Sequence, residues 1–274
     1  MYIHLTHLFL NFIFFSGIGS VLLSCKWLFP TAKSTGIEAQ PTSFALAQRS
    51  IEYNTGSCCN VEAVDPLRLL AEHGTSSSTD PPVDDIVVDR LHVPPPVRLL
   101  AGDIRMTHDT LSQAGLSSFD LVTGTPPYFK LKVDENNGDV VPINGGMPSC
   151  VNSAPARNEF RGGIEEYCLS AAATILPRCP IIITMAHDLK RVEKAAKEAK
   201  LKMFRRLEVS GKVGKAPLFS CFCFVLQEEV GEGEREVVEE EEEPCVVEKI
   251  NVRGLDNSRT DEYVALMERM GIPP

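Results

Sequence analysis

The residues best suited to chemistry lie in Phe119-Asp120-Leu121-Val122-Thr123-Gly124-Thr125-Pro126-Pro127-Tyr128-Phe129. Thr125, Pro126, Pro127 and Tyr128 follow a short apolar run of strand character that Gly124 breaks. Prolines cannot continue a central strand, so the strand ends near Gly124 and the tetrapeptide lies at its carboxyl edge. In open α/β sheets that edge is where ligands bind. Each proline fixes φ and lacks an N–H, so the carbonyls point outward in a preset direction with little entropy left to lose. A fixed acceptor beside an aromatic plate suits a planar ring that carries an amine. The same four residues also suit a proline-rich turn with a half-buried tyrosine.

The elements that must position this stretch begin well upstream. Residues 8–15 are an apolar run expected to form a first, buried parallel strand. Ser16-Gly17-Ile18-Gly19-Ser20 reads as its tight turn and residues 20–29 as the first helix, ending before Pro30. Gly17 and Gly19 would let the backbone approach a ligand at the helix N-terminus. The next strand, 34–38, ends in Gly36-Ile37-Glu38-Ala39-Gln40. An acid about twenty positions past the glycines can accept hydrogen bonds from ribose hydroxyls; Glu38 also reads as a surface charge at a strand end. A helix over Thr42–Asn54 carries Phe44, Ala47 and Ile51 on one face. Residues 55–96 read as a long insertion in a surface loop, with a short helix around Pro66–His73 and the triple proline Pro94–Pro96. The chain resumes with a strand, Val97-Arg98-Leu99-Leu100-Ala101, that runs into Gly102-Asp103-Ile104. An acid there can meet a ligand or cap a helix.

Downstream of Tyr128, residues 129–156 form a polar loop that is a candidate lid. A helix is expected over 158–176, with Ile164, Tyr167, Cys168, Ala171, Ala172 and Ile175 on one stripe. Arg157 and Arg161 fall near its start, where the dipole prefers anions; they suit a substrate phosphate or plain solvation. A strand over 180–185 and an amphipathic helix over 188–200 follow. Between Ala186 and Arg206 stand eight basic residues, among them Lys190, Arg191, Lys194, Lys197, Arg205 and Arg206, against three acidic ones. Such a face can meet an RNA backbone or be a solvated surface laced with ion pairs. Strands near 203–210 and 217–227 read as an antiparallel closing pair. Glu228–Glu243 is an acidic run that repels itself, followed by a strand over Val246–Val252 and a helix over Thr260–Met270.

Composition narrows the classes. The net charge of −10 argues against a uniformly basic nucleic-acid binder, although much of it sits in the acidic run. Nine cysteines at irregular spacings, with no pair of Cys-x-x-Cys units, point to reduced thiols in a reducing compartment, cytoplasmic or organellar, without structural zinc. Residues 1–29 are apolar enough to suggest a signal or membrane segment, and Leu22-Leu23-Ser24-Cys25 reads as a lipoprotein cleavage box. The lack of a basic leading region and the interruptions at Asn11, Gly17 and Gly19 weigh against that reading.

Two blocks carry a family resemblance. Thr125-Pro126-Pro127-Tyr128 resembles the (Asn/Asp/Ser/Thr)-Pro-Pro-(Tyr/Phe) motif of class I S-adenosylmethionine-dependent methyltransferases that modify amines. Ala156-Arg157-Asn158-Glu159-Phe160-Arg161-Gly162-Gly163-Ile164-Glu165-Glu166-Tyr167-Cys168 resembles the helix after that motif in one branch of these enzymes. That branch is similar to tRNA adenine-N6 methyltransferases with a small methyltransferase domain, and the likeness spans residues 16–227 with gaps. It implies an α/β, Rossmann-like sheet, mostly parallel with an antiparallel closing strand and helices on both faces. It implies S-adenosylmethionine held by Gly17, Gly19, Glu38, Ala39, Asp103 and Ile104, with Asp103 meeting the adenine amine of the cofactor. Thr125, Pro126, Pro127 and Tyr128 would act on a base amine, adenine N6 in tRNA or rRNA. RNA would be met by Arg157, Arg161, Lys190, Lys194 and Lys197, and no metal is implied.

On this reading residues 1–228 are the methyltransferase domain, 229–245 an acidic linker and 246–274 an appendage. One departure stands out: the family turn has the pattern Asp-x-Gly-x-Gly, and Ile13 and Phe15 occupy the first two of its defining positions. Phe15 lacks the φ > 0 conformations open to glycine, and its ring would compete for the ligand's space. Two other functions stay open: methylation of a protein glutamine amide, because the same Pro-Pro-aromatic motif serves that planar amide, and a catalytically silent methyltransferase-fold interaction module, made so by Ile13 and Phe15.

Overall fold

The computed structural model describes residues 11–15, 19–55, 60–62, 97–133, 140–142, 157–227 and 244–272. The chain divides into two units, Met1–Thr123 and Gly124–Pro274.

The first unit is built on parallel strands. In chain order it contains β1 (Asn11–Phe15), α1 (Ser20–Leu28), β2 (Lys33–Glu38), α2 (Pro41–Thr55), β3 (Asn60–Glu62) and β4 (Val97–Ala101). A 3-10 turn (Ile104–Met106), α3 (Thr107–Gln113) and β5 (Leu121–Gly124) follow. The strands run in the order β5-β1-β2-β4-β3, and every adjacent pair is parallel. Parallel strands covered on both faces lose the in–out alternation, and β2 and β5 do so: Ser34, Thr35, Gly36 and Ile37 are buried in succession, as are Leu121 to Gly124. Ala47 and Ile51 form the buried side of α2. Within the 55–96 stretch, Asn60–Glu62 form a short edge strand that pairs with β4. A strand that short carries no readable period. The helix expected at 66–73 and the triple proline lie outside the described residues.

Two local features shape the α1 corner. Gly19 caps α1 at φ 86°, and a Cβ there would stand 3.3 Å from the Cβ of Ala47, so the turn is both left-handed and pressed on α2. Lys26 is wholly buried, and its ammonium donates to the carbonyls of Pro30 and Ala32, each at 2.6 Å. Burial lowers its pKa, and the two carbonyls satisfy the charge where α1 ends. Leu22-Leu23-Ser24-Cys25 lies within this nine-residue helix.

The second unit alternates. Its elements are β6 (Leu131–Val133), β7 (Val140–Pro142), α4 (Ile164–Thr174), β8 (Ile181–Ala186), α5 (Leu189–Glu198), β9 (Leu201–Ser210), β10 (Phe219–Leu226), β11 (Val246–Asn251) and α6 (Asp261–Arg269). The order is β11-β9-β10-β8, with β10 antiparallel to both β8 and β9 and β11 parallel to β9. β6 and β7 make a separate antiparallel pair. β8 and β10 bury every second residue, as a sheet of period two does. Phe222 and Phe224, both fully buried, stack with ring centroids 6.4 Å apart. Val192, Ala195 and Ala196 turn the narrow apolar side of α5 inward.

The helix read over 158–176 starts later, at Ile164. Gly162 takes φ +107° and a Cβ on it would meet the Cγ of Glu166 at 2.8 Å. Glu166 instead folds back to accept the Gly163 amide at 2.8 Å, so the glycine pair ends the loop and the helix begins after it. Ile164, Cys168, Ala171 and Ile175 form its buried stripe. Thr260 caps α6 by accepting the Tyr263 amide at 3.3 Å. The acidic run 228–243 lies outside the described residues.

Candidate active site

Two of the singled-out acids stand at the carboxyl ends of neighbouring strands. β2 and β4 pair in register from Ser34 with Val97 to Glu38 with Ala101, so Asp103 follows two residues beyond the partner of Glu38. The Gly102 amide donates to the Glu38 carbonyl at 3.1 Å, locking the two strand ends together. The Glu38 carboxylate accepts the Gln40 amide at 2.6 Å. Asp103 accepts the amide of Arg105 at 3.0 Å, capping the 3-10 turn, and meets its guanidinium at 2.9 and 2.8 Å. Asp103 is thus a cap, one of the two readings its position allowed. Ala39 is half-buried, and Ile104, next to Asp103 in sequence, is buried. Gly19 belongs to the α1 turn, whereas Gly17 lies outside the described residues.

β5 runs beside β1, with Phe12, Ile13 and Phe14 opposite Leu121, Val122 and Thr123. Its carboxyl end therefore shares an edge with those of β1, β2 and β4. The chain leaves it through Thr125, which is exposed, Pro126, which is buried, and Pro127, which is half-buried. Tyr128 is 41% exposed. Burial, with Cys221 nearby, raises the pKa of its phenol, which stays neutral near pH 7.

The backbone just beyond the prolines is clasped by a segment that lies much later in the chain. The amides of Tyr128 and Phe129 both donate to the Arg157 carbonyl, at 3.1 and 3.0 Å, and the Glu159 amide donates back to the Phe129 carbonyl at 3.0 Å. Phe129 and Asn158 form a parallel bridge, and the Arg157 guanidinium sits 5.6 Å from the Phe129 ring centroid. Arg157 has helical backbone and Arg161 lies in a turn, and both come before α4 starts at Ile164, so neither is in the first turn of that helix and the conflict with its dipole does not arise.

Arg191 anchors that loop from α5. It meets Glu159 through Nη1–Oε1 at 2.6 Å and Nη2–Oε2 at 2.9 Å, and Glu165 through Nε–Oε1 at 2.8 Å and Nη2–Oε2 at 2.5 Å. Burial alone would lower the pKa of Arg191, but the hydrogen bonds and charges of Glu159 and Glu165 carry it above its ordinary value. Nothing local in the sequence marks this trio as partners.

The basic count between Ala186 and Arg206 shrinks accordingly. Arg191 faces Glu159 and Glu165, Arg205 pairs with Glu248, and Arg206 pairs with Glu208 at 2.9 Å. Lys190, Lys194 and Lys197 remain exposed on α5, Lys194 with Glu198 at 3.8 Å. Among the described residues no group of His, Cys, Asp and Glu could hold a metal ion, and no helix is long and apolar enough to cross a membrane.

By sequence, no family model and no curated protein matches the chain. By structure it is similar to a predicted O-methyltransferase, protein Atu636 from Agrobacterium tumefaciens, with a TM-score of 0.55 and 10% identity over 97% of this chain and 91% of that one. The chain has a Rossmann-like methyltransferase fold. At 10% identity the likeness speaks for the fold and not for the substrate. Looser matches include the Methanococcus jannaschii fibrillarin pre-rRNA processing protein, with a TM-score of 0.42 and 7% identity over 80% of this chain and 67% of that one. A TehB-like SAM-dependent methyltransferase from Corynebacterium glutamicum has a TM-score of 0.39 and 10% identity over 80% and 81%. Both are too distant to add to the argument. Within the methyltransferase fold, Glu38 and Asp103 mark the ends of β2 and β4, and the Pro-Pro-Tyr segment follows β5.

Proposed function

We propose that the chain is an S-adenosylmethionine-dependent N-methyltransferase acting on an exocyclic amine of a nucleic-acid base, adenine N6 in tRNA or rRNA. The observation that carries this reading is the in-register pair of acidic strand ends, Glu38 and Asp103, in a methyltransferase fold whose β5 leads into Thr125-Pro126-Pro127-Tyr128. A carboxylate fixed by the Gln40 amide suits a ribose diol. The carboxylate of Asp103 suits an adenine amine, with Ala39, Ile104, Gly17 and Gly19 completing the cofactor set. This donor set fits S-adenosylmethionine, which supplies an electrophilic methyl group when bound.

The remaining work falls to the chain. Tyr128, half exposed and neutral, stacks on a base drawn out of its helix. The carbonyl of Pro126 and the hydroxyl of Thr125 accept the amine's hydrogens and turn its lone pair along the line of attack. Both bonds strengthen as the nitrogen becomes tetrahedral and positive, so they favour the transition state over the ground state. The proton then leaves to water, and no general base is needed. Lys190, Lys194 and Lys197, with Arg157 and Arg161, meet substrate phosphates.

Calorimetric titration of S-adenosylmethionine into the full chain tests the reading at its root. Binding with a Kd of about 1–100 μM is expected, weakened at least about tenfold in Asp103→Asn, which keeps a capping side chain. No heat in a chain that melts cooperatively would overturn the cofactor assignment. Radiolabelled methyl transfer to unmodified tRNA and rRNA, beside a glutamine-containing peptide, then separates the base amine from the protein amide.

A further inference from the structure

We infer that Arg191 is a positioning residue for Tyr128, acting through Glu159. Tyr128 is 41% exposed, so where its ring stands depends on its backbone as well as on the residues that cover the rest of it. That backbone is clasped by three hydrogen bonds, Tyr128 and Phe129 amides to the Arg157 carbonyl and the Glu159 amide to the Phe129 carbonyl, at 3.0–3.1 Å. A clasp made by a short segment is only as fixed as that segment's own tether. Here the tether is the bidentate pair of Glu159 with Arg191, both side chains 11% exposed. A planar guanidinium bonded twice to one carboxylate sets its orientation as well as its distance.

The same guanidinium holds Glu165 at the first turn of α4, and Lys130, two residues past Tyr128, lies 3.9 Å from Glu165. Just past Tyr128 the chain therefore has a second, weaker link to Arg191 through Lys130 and Glu165. Gly163 makes room for this: a Cβ there would fall 2.5 Å from Arg191 Nη2 and 2.7 Å from Glu159 Oε2. The tether stands on geometry alone. Its effect on catalysis rests on the reading above, since misplacing an aromatic plate by about 1 Å can cost on the order of a hundredfold in rate.

Amide hydrogen exchange on the full chain, resolved by NMR, tests the tether. Arg191→Lys keeps the charge but not the fork, Glu159→Gln keeps the shape but not the charge, and Gly163→Ala disturbs the pair sterically. The Tyr128 and Phe129 amides should exchange at least about tenfold faster in each variant, while amides in β9 and β10 keep their protection. Affinity for S-adenosylmethionine should not change, and RNA methylation should fall in kcat. A general loss of packing would instead loosen β9 and β10 together with Tyr128. Wild-type protection at Tyr128 and Phe129 in any folded variant of Arg191 or Glu159 would overturn the inference. A wild-type chain that fails to bind S-adenosylmethionine would undo the proposed function and leave the exchange result standing.

Discussion

Arg191 and Glu159 share two parallel hydrogen bonds, at 2.6 and 2.9 Å, between a helix and an irregular loop. Burial makes each charge costly without the other, so the pair cannot be judged by its attraction alone. Arg191→Met should leave Glu159 and Glu165 uncompensated and destabilise the chain by about 3–5 kcal/mol. Urea unfolding measures this, and a cost like that of an exposed pair would show that water already reaches the site.

Gly163→Ala adds one methyl group where Arg191, Glu159 and their bonds leave no space. Overpacking of this kind should cost about 1–3 kcal/mol. Gly214→Ala is the control: no atom lies within 4 Å and only the φ of +77° resists substitution, at about 1–2 kcal/mol. A loss well under about 1 kcal/mol in Gly163→Ala would mean that the loop around Gly163 yields.

Glu165 gives the acid limb of stability. Burial would raise its pKa, but the hydrogen bonds and charge of Arg191, helped by Lys130, hold it below the ordinary 4.5. A carboxyl depressed in the folded state contributes fully above its unfolded pKa and loses that contribution as the pH falls through the folded one. Thermal midpoints should therefore drop below about pH 4.5, and the drop should be shallower in Glu165→Gln. Parallel curves for the two proteins would remove Glu165 from the account.

Reversing Lys190, Lys194 and Lys197 to Glu tests the exposed face of α5. If all three meet phosphates, the dependence of log K on log salt should lose about 2–3 units of slope, at about 0.9 per contact. Thermal stability should barely move, because the Lys194–Glu198 pair is 77% and 56% exposed and such pairs contribute about 0.3–0.5 kcal/mol. Unchanged RNA binding would leave this face without a role.

Tyr128→Ala separates chemistry from folding. Its side chain is half exposed, so stability should change by less than about 1 kcal/mol, and S-adenosylmethionine should bind as before. Methyl transfer should fall by at least about a hundredfold in an assay with radiolabelled cofactor. Retained activity would remove the stacking role.

Local order was legible in the sequence wherever the cause was local. The β-branched and apolar run ending at Gly124, the two prolines after it, and the apolar stripe of Ile164, Cys168, Ala171 and Ile175 all obey rules that span a few residues. The strand ends at Glu38 and Asp103 follow from the same kind of pattern. The three residues of β3 were not legible, because so short an edge strand borrows its form from β4. Nor was the start of α4 at Ile164: the apolar stripe extends a helix backward, while Gly162 at φ +107° stops it.

Only tertiary structure decided which charges are spent and which are offered. Lys26 stands out in no sequence pattern, yet the chain turns the carbonyls of Pro30 and Ala32 onto it and buries it. Arg191 reads as one of eight cations on a basic stretch, yet it faces inward to Glu159 and Glu165. A side chain's partner depends on what the fold brings within hydrogen-bond reach, and separation along the chain carries no trace of that distance. Sequence therefore determined that two prolines and a tyrosine follow β5; the packing of α5 on a distant segment decided which side chains lie behind the Tyr128–Phe129 backbone.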